Sequence, residues 1–172
     1  NKSSNFLIKS FTNIKIKNSI TDQLIKDEFF NNKIQASITS DLHPNQINQL
    51  KSDISFSSAT IEHVGSFKNQ VKFVNECHRV TNNITFITTP NRNYPIDFHT
   101  RLPLIHLLPK KIHRNILNFF GEKYLSKESN LNLLTENDLI NICKKNRIDN
   151  FKIIKIKLFF FVSNLILIMY KN

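Results

Sequence analysis

The sequence predicts an α+β fold, and three observations carry that prediction. Short segments alternate apolar and polar residues, the period of a half-buried strand, and between them lie stretches whose apolar residues recur every three or four positions, the period of an amphipathic helix. The chain has 172 residues, 40% of them hydrophobic and 15 of them Phe, which is enough apolar volume for one packed core. Two large domains do not fit that length.

Taken in order, Ile34, Ala36 and Ile38 alternate with polar neighbours from Lys33 onward and predict the first strand. Pro44 suits the first turn of a short helix running to Leu50, and Ile54 and Phe56 predict a second strand. Ser66 can cap a helix in which Phe67, Val71, Val74 and Cys77 share a face. Ile84, Phe86 and Thr88 predict a third strand, Asn91 to Asn93 a turn, and Tyr94, Ile96 and Phe98 a fourth strand antiparallel to the third, with Pro95 marking an edge or a bulge. From Pro109 to Phe120 the residues Ile112, Ile116, Leu117 and Phe120 predict a basic amphipathic helix closed by Gly121. Thr135 and Asp138 form the frame of a capping box for a last helix through Leu139, Ile142 and Cys143.

This order of strands and helices resembles the thioredoxin-like fold, in the form that recurs in mitochondrial ribosomal proteins and in a small subunit of respiratory complex I. The resemblance implies a small mixed sheet with helices, followed by a helical C-terminal extension. The expected division is an N-terminal extension over 1–32, a thioredoxin-like α/β domain over 33–121, and a helical C-terminal module with an apolar tail over 122–172. The redox CxxC of that fold is absent, because Cys77 and Cys143 stand alone, so the resemblance implies a non-catalytic member.

Several chemistries are excluded at this level. With only Gly65 and Gly121 present, neither a P-loop nor a dinucleotide fingerprint can be written. The six His residues, His43, His63, His78, His99, His106 and His113, form no close ligand pair with one another or with Cys77, so no metal is expected. Cys77, a distant His and Asp97 lack the local signature of a nucleophile triad. No catalytic residue, no cofactor and no small-molecule substrate are therefore expected.

The charge balance points elsewhere. There are 24 Lys and Arg against 13 Asp and Glu, a net charge of +11, which favours a polyanionic partner. The basic residues cluster at Lys110, Lys111 and Arg114, at Lys144, Lys145 and Arg147, and at Lys152, Lys155 and Lys157, and these nine are the expected RNA-binding set. Leu125, Glu128, Leu131, Leu134, Thr135, Asp138, Leu139, Cys143, Lys144, Lys145, Arg147, Ile148 and Leu158 are spaced in a way that resembles the ribosome-binding domain of the Letm family of mitochondrial inner-membrane proteins. Together the two resemblances imply a mitochondrial location and a non-catalytic structural subunit of an organellar ribosome, in contact with rRNA and neighbouring proteins. The alternative is a supernumerary subunit of a mitochondrial respiratory membrane complex, held by the apolar tail from Leu158 to Tyr170. The chain opens at Asn1 without Met, which suits removal of a leader. The tail is too short to span a bilayer as a helix and is expected to be buried against the protein or a partner, so that removal from Leu158 onward should improve solubility.

Overall fold

The computed structural model describes residues 18–21, 32–35 and 42–171. Strands β1 (Asn18–Thr21) and β2 (Asn32–Gln35) pair in parallel as a two-stranded sheet. The strand expected through Ile34 is described as far as Gln35; Ala36 and Ile38 lie outside the described residues. Helix α1 (Pro44–Leu50) begins at His43, whose Nδ1 accepts from the Asn45 amide while Gln46 Oε1 accepts the His43 amide. It buries Ile47 and Leu50 against Leu42 and Val80.

The main sheet has four strands in the order β3-β4-β6-β5. Strands β3 (Ser52–Ser58) and β4 (Thr81–Pro90) run in parallel, with Phe56 opposite Phe86 and Ser58 opposite Thr88. Parallel neighbours need a crossover, and helix α2 (Phe67–Arg79) supplies it. Ser66 caps α2 as expected, its Oγ accepting from the Asn69 amide. After β4 come helices α3 (Lys110–Phe119) and α4 (Glu136–Lys145); α4 opens on a complete Thr135–Asp138 capping box. The chain ends in a hairpin of β5 (Phe151–Leu158) and β6 (Phe161–Tyr170), and β6 lies antiparallel between β4 and β5.

One core joins these elements. Phe73, Val74 and Cys77 from α2 meet Leu139, Ile142 and Cys143 from α4 over Ile87 of β4 and Leu165, Leu167 and Met169 of β6. The sheet thus joins strands from both sides of the expected division at 121/122.

Two expectations are corrected here. The fold is not a thioredoxin-like sheet with a helical C-terminal extension, because the last two elements are strands of the main sheet. The apolar run from Leu158 to Tyr170 holds the end of β5, a two-residue turn and the whole of β6; in β6 Leu165, Leu167 and Met169 are buried on one face, and on the other Ile168 is buried and Ile166 half-buried, which is why Leu165 to Met169 shows no alternation. The fourth strand predicted over Tyr94, Ile96 and Phe98 is a loop with a single bridge between Ile96 and Pro103. Pro95 has no amide to give a ladder, and the Asp97 carboxylate takes the amides of His99 and Thr100 into a turn.

Leu167 is fully buried at the centre of β6, so Leu167→Ala should cost about 2–5 kcal/mol in urea unfolding. Removal from Leu158 onward deletes the strand that holds β4 to β5. The truncated chain should show no cooperative thermal transition, against the gain in solubility expected from sequence.

Candidate metal centre

Strands β3 and β4 end side by side, and the chain leaves each through a loop. Beyond β3, Ala59 adopts a positive φ of 48° and leads into a 3-10 turn at Ile61–His63. Ile61 is fully buried in the core, and this anchors the turn so that the Glu62 side chain is also carried inside. Gly65, at φ 92°, then lets the chain reverse into α2. Asn132 clamps the turn from the far side: its amide donates to Glu62 O at 2.7 Å and its Nδ2 to Gly65 O at 2.8 Å.

Glu62 has no solvent exposure. Thr89, one residue before the end of β4, donates its hydroxyl to Glu62 Oε2 at 3.0 Å, but Oε1 has no hydrogen-bond partner. A buried carboxylate oxygen without a partner is costly unless a cation or a proton faces it. Burial accordingly pushes the Glu62 carboxyl above its ordinary value, against the pull of its own backbone and of His63, Thr89 and His99.

His99 arrives from the loop that follows β4. Asp97 builds that loop: its Oδ1 accepts from the His99 amide at 3.0 Å, and its Oδ2 accepts from the Thr100 amide and hydroxyl at 3.2 and 2.7 Å. The His99 Nδ1 lies 3.2 Å from Asp97 Oδ1. Burial alone would raise the Asp97 carboxyl, but the hydrogen bonds from His99 and Thr100 outweigh it and hold the group well below the usual carboxylate range. The same bond to Asp97 raises His99, with burial opposing and the charges of Asp97 and Glu62 adding.

The tautomers follow from these partners. His63 Nδ1 lies 2.7 Å from the Asn130 carbonyl, which can only accept, so Nδ1 carries the proton. Asp97 imposes the same assignment on His99. Each neutral ring then has a bare Nε2, and these two atoms face one another at 3.1 Å. Lone pairs at that distance repel unless a proton or a metal ion sits between them. Glu62 Oε1 is 3.9 Å from His99 Nε2, and the ligand atoms of Glu62, His63 and His99 all lie within 4.8 Å of one another. A tetrahedral ion at about 2.0–2.1 Å from each ligand places them roughly 3.3 Å apart, so modest side-chain adjustments would complete the set.

The nine expected RNA-binding residues fall on three parts of the fold: α3, the end of α4 with the residue just beyond it, and β5. Lys110 is half-buried on α3 and donates to Asn132 Oδ1 at 2.6 Å, Lys111 is exposed beside it, and Arg114 pairs with Glu128 at 3.2 Å. Lys144 and Lys145 end α4, roughly 15 Å from its start for ten residues, with Arg147 beyond them. Lys152, Lys155 and Lys157 lie on β5, where Lys155 pairs with Glu136 at 2.7 Å. Cys77 and Cys143 are buried, and burial pushes both thiols up to about 12, which leaves them unreactive.

No family model and no curated protein sequence matches the chain. Among solved structures it is similar to the magnesium protoporphyrin IX methyltransferase of Synechocystis PCC 6803 with bound SAH, at 11% identity and a TM-score of 0.45, covering 82% of this chain and 51% of that one. A SAM-dependent methyltransferase from Methanosarcina mazei is similar at 14% identity and a TM-score of 0.47, covering 83% and 66%, and one from Archaeoglobus fulgidus at 11% and 0.44, covering 81% and 67%. This chain thus spans about half to two thirds of the length of those enzymes. Likenesses at this level assign it neither a cofactor nor an activity. All three are enzymes, and a ribosomal or respiratory structural subunit is not among them. The expectations of a non-catalytic subunit bound to rRNA and neighbouring proteins, of a respiratory-complex alternative through Leu158 to Tyr170, and of no catalysis and no small-molecule substrate find no counterpart in these three structures and are withdrawn. Glu62, His63 and His99, for which no metal was expected because no close pair marks them in sequence, nonetheless lie together.

The Asp97–His99 pair makes stability depend on pH with a definite sign. The lowered Asp97 contributes above the ordinary carboxylate value, and that contribution disappears as pH falls through its lower folded value; the raised His99 contributes below the ordinary imidazole value and loses its share as pH rises through its higher folded value. Asp97→Asn should therefore cost most near about pH 5, on the order of 1–3 kcal/mol in urea unfolding. The gap to wild type should narrow in strong acid, where both chains lack a carboxylate at this position.

Proposed function

We propose that this chain holds one divalent metal ion of the zinc class on Glu62 Oε1, His63 Nε2 and His99 Nε2, and that this is its reactive centre. The observation that carries the reading is the convergence of two imidazole Nε2 atoms, 3.1 Å apart, beside a buried carboxylate oxygen with no hydrogen-bond partner. Two imidazoles and a carboxylate suit a borderline divalent ion, and three protein ligands leave a position open, the arrangement of catalytic rather than structural zinc. The supporting residues belong to such a centre too. Asp97 and the Asn130 carbonyl hold the far nitrogen of each ring, which fixes the tautomer and aims Nε2 inward. His63 is exposed, so a small molecule can reach the open position from solvent. An ion held there would supply Lewis acidity, polarising a substrate oxygen or lowering the pKa of a bound water towards about 7.

Zinc titration of the full chain by calorimetry should give one site. Asp97→Asn leaves all three ligands in place and should still weaken binding by about 10–100-fold, because it frees the His99 ring. Glu62→Gln should weaken it at least as much. Binding should release protons, seen as a dependence of the heat on buffer ionisation, because the ion replaces the proton that otherwise sits between the rings. Absence of zinc binding above that of a His63→Ala/His99→Ala chain, or stabilisation of the chain by S-adenosylhomocysteine with no response to metal, would replace this reading.

A further inference from the structure

We propose that the tip of the β5–β6 hairpin, Leu158 to Phe161, is a wedge that inserts into the interface of an anionic lipid bilayer. The inference is independent of the metal centre. Leu158 pairs with Phe161, so Phe159 and Phe160 are the two turn residues, and they are 84% and 91% exposed. Phe161 is also more than half exposed. Three consecutive aromatic rings in water are costly for a fold that has a core in which to bury such residues.

The turn itself is badly served by these residues. Phe159 sits at φ 55°, in the left-handed region where two-residue hairpin turns favour Asn or Gly and where a bulky side chain is strained. Asn-Gly would close the same hairpin more easily. Backbone strain accepted in order to display two aromatic rings points to a role for the rings rather than for the turn.

The chemistry of the occupant follows from shape and charge. Phe159 and Phe160 protrude from the turn, and a bilayer interface receives a protruding ring without a matching cavity. Lys157 is exposed on β5 one residue before the tip, in a chain of net charge +11, and a lysine just behind an apolar insertion complements acidic headgroups. A second exposed apolar stretch lies in the segment that follows β4: Leu104, Leu107, Leu108 and Ile112, with exposed Lys111 beside Ile112. The tip and the start of this segment leave the same end of the sheet, because Pro90 at the end of β4 pairs with Asn164 near the start of β6. No helix among the described residues is long and apolar enough to cross a membrane, so the contact is interfacial.

Co-sedimentation of the full chain with phosphatidylcholine vesicles, with and without about 30% phosphatidylserine, tests the proposal. The wild-type chain should bind the mixed vesicles more tightly than the neutral ones, and added salt should reduce the difference. Phe159→Asn with Phe160→Gly should lower the partition coefficient by about tenfold or more while leaving the thermal midpoint unchanged or higher, which a purely structural role for the rings would not allow. Lys157→Glu should lower binding to the mixed vesicles alone. Failure of the wild-type chain to bind either vesicle, or equal binding by the Asn–Gly variant, overturns the proposal. So does a wild-type chain that forms dimers which the Asn–Gly variant abolishes while neither binds lipid, since the tip would then be a contact between copies.

Discussion

Strand β6 is hydrogen-bonded along both edges, to β4 on one side and to β5 on the other, and the positions of the other core elements depend on that double pairing. It is antiparallel to both. Its buried face, Leu165, Leu167 and Met169, is the floor on which α2 and α4 meet. A fully buried Leu or Met contributes roughly 1.5–3 kcal/mol by area, so three in a row are a large share of the marginal stability of a domain this size. Without β6, the β3–β4 pair would have no partner on its inner edge and α4 no sheet to cover.

The metal centre depends on this frame at one remove. Glu62 is buried because Ile61 beside it belongs to the core, and its acceptor for a hydrogen bond, Oε2, meets Thr89 because β3 and β4 are parallel and in register at their ends. The loop carrying Asp97 and His99 starts from the same strand end. Its first residues are tied down from two directions, Asn91 to Ser163 of β6 and Arg92 to Leu134 before α4. Open α/β sheets place their ligands beyond the carboxyl ends of parallel strands, and the cluster obeys that rule.

Local signals in the sequence were sound where the physics is local. Ser66 and the Thr135–Asp138 box cap the helices they mark, and the spacing of Phe67, Val71, Val74 and Cys77 does place a helix against a sheet. What failed was non-local. The run Leu165 to Met169 is apolar on both faces, with Ile168 buried opposite the core face, and such a run cannot be told from a buried helix by periodicity. Glu62, His63 and His99 come together only through the parallel pairing of β3 with β4, 36 residues separating the two imidazoles along the chain. A signal was nonetheless present. The acidic–imidazole pair Glu62–His63 follows directly on a strand, Asp97 stands two before His99 after the next strand, and a helix connects the two strands, which is the setting of a site at a parallel sheet edge. Taking Tyr94 to Phe98 for a strand hid it, since that reading made Asp97 one residue of a ladder instead of the organiser of a loop.

Chain direction also explains why the imidazole pair and the aromatic tip share one end of the molecule. β3 and β4 deliver their loops there because both strands point that way, and β6, running opposite, begins there. The hairpin turn that precedes β6 must therefore project from the same end, past Pro90 and Asn164. The opposite end, where Lys144 and Lys145 close α4, carries charge of the kind that sits comfortably in water and at a helix C-terminus. The exposed Phe159 and Phe160 and the orphaned oxygen of Glu62 each cost the fold stability without a return inside it. Both costs fall on the end from which the loops emerge, where a bound ion can offset one and an apolar surface the other.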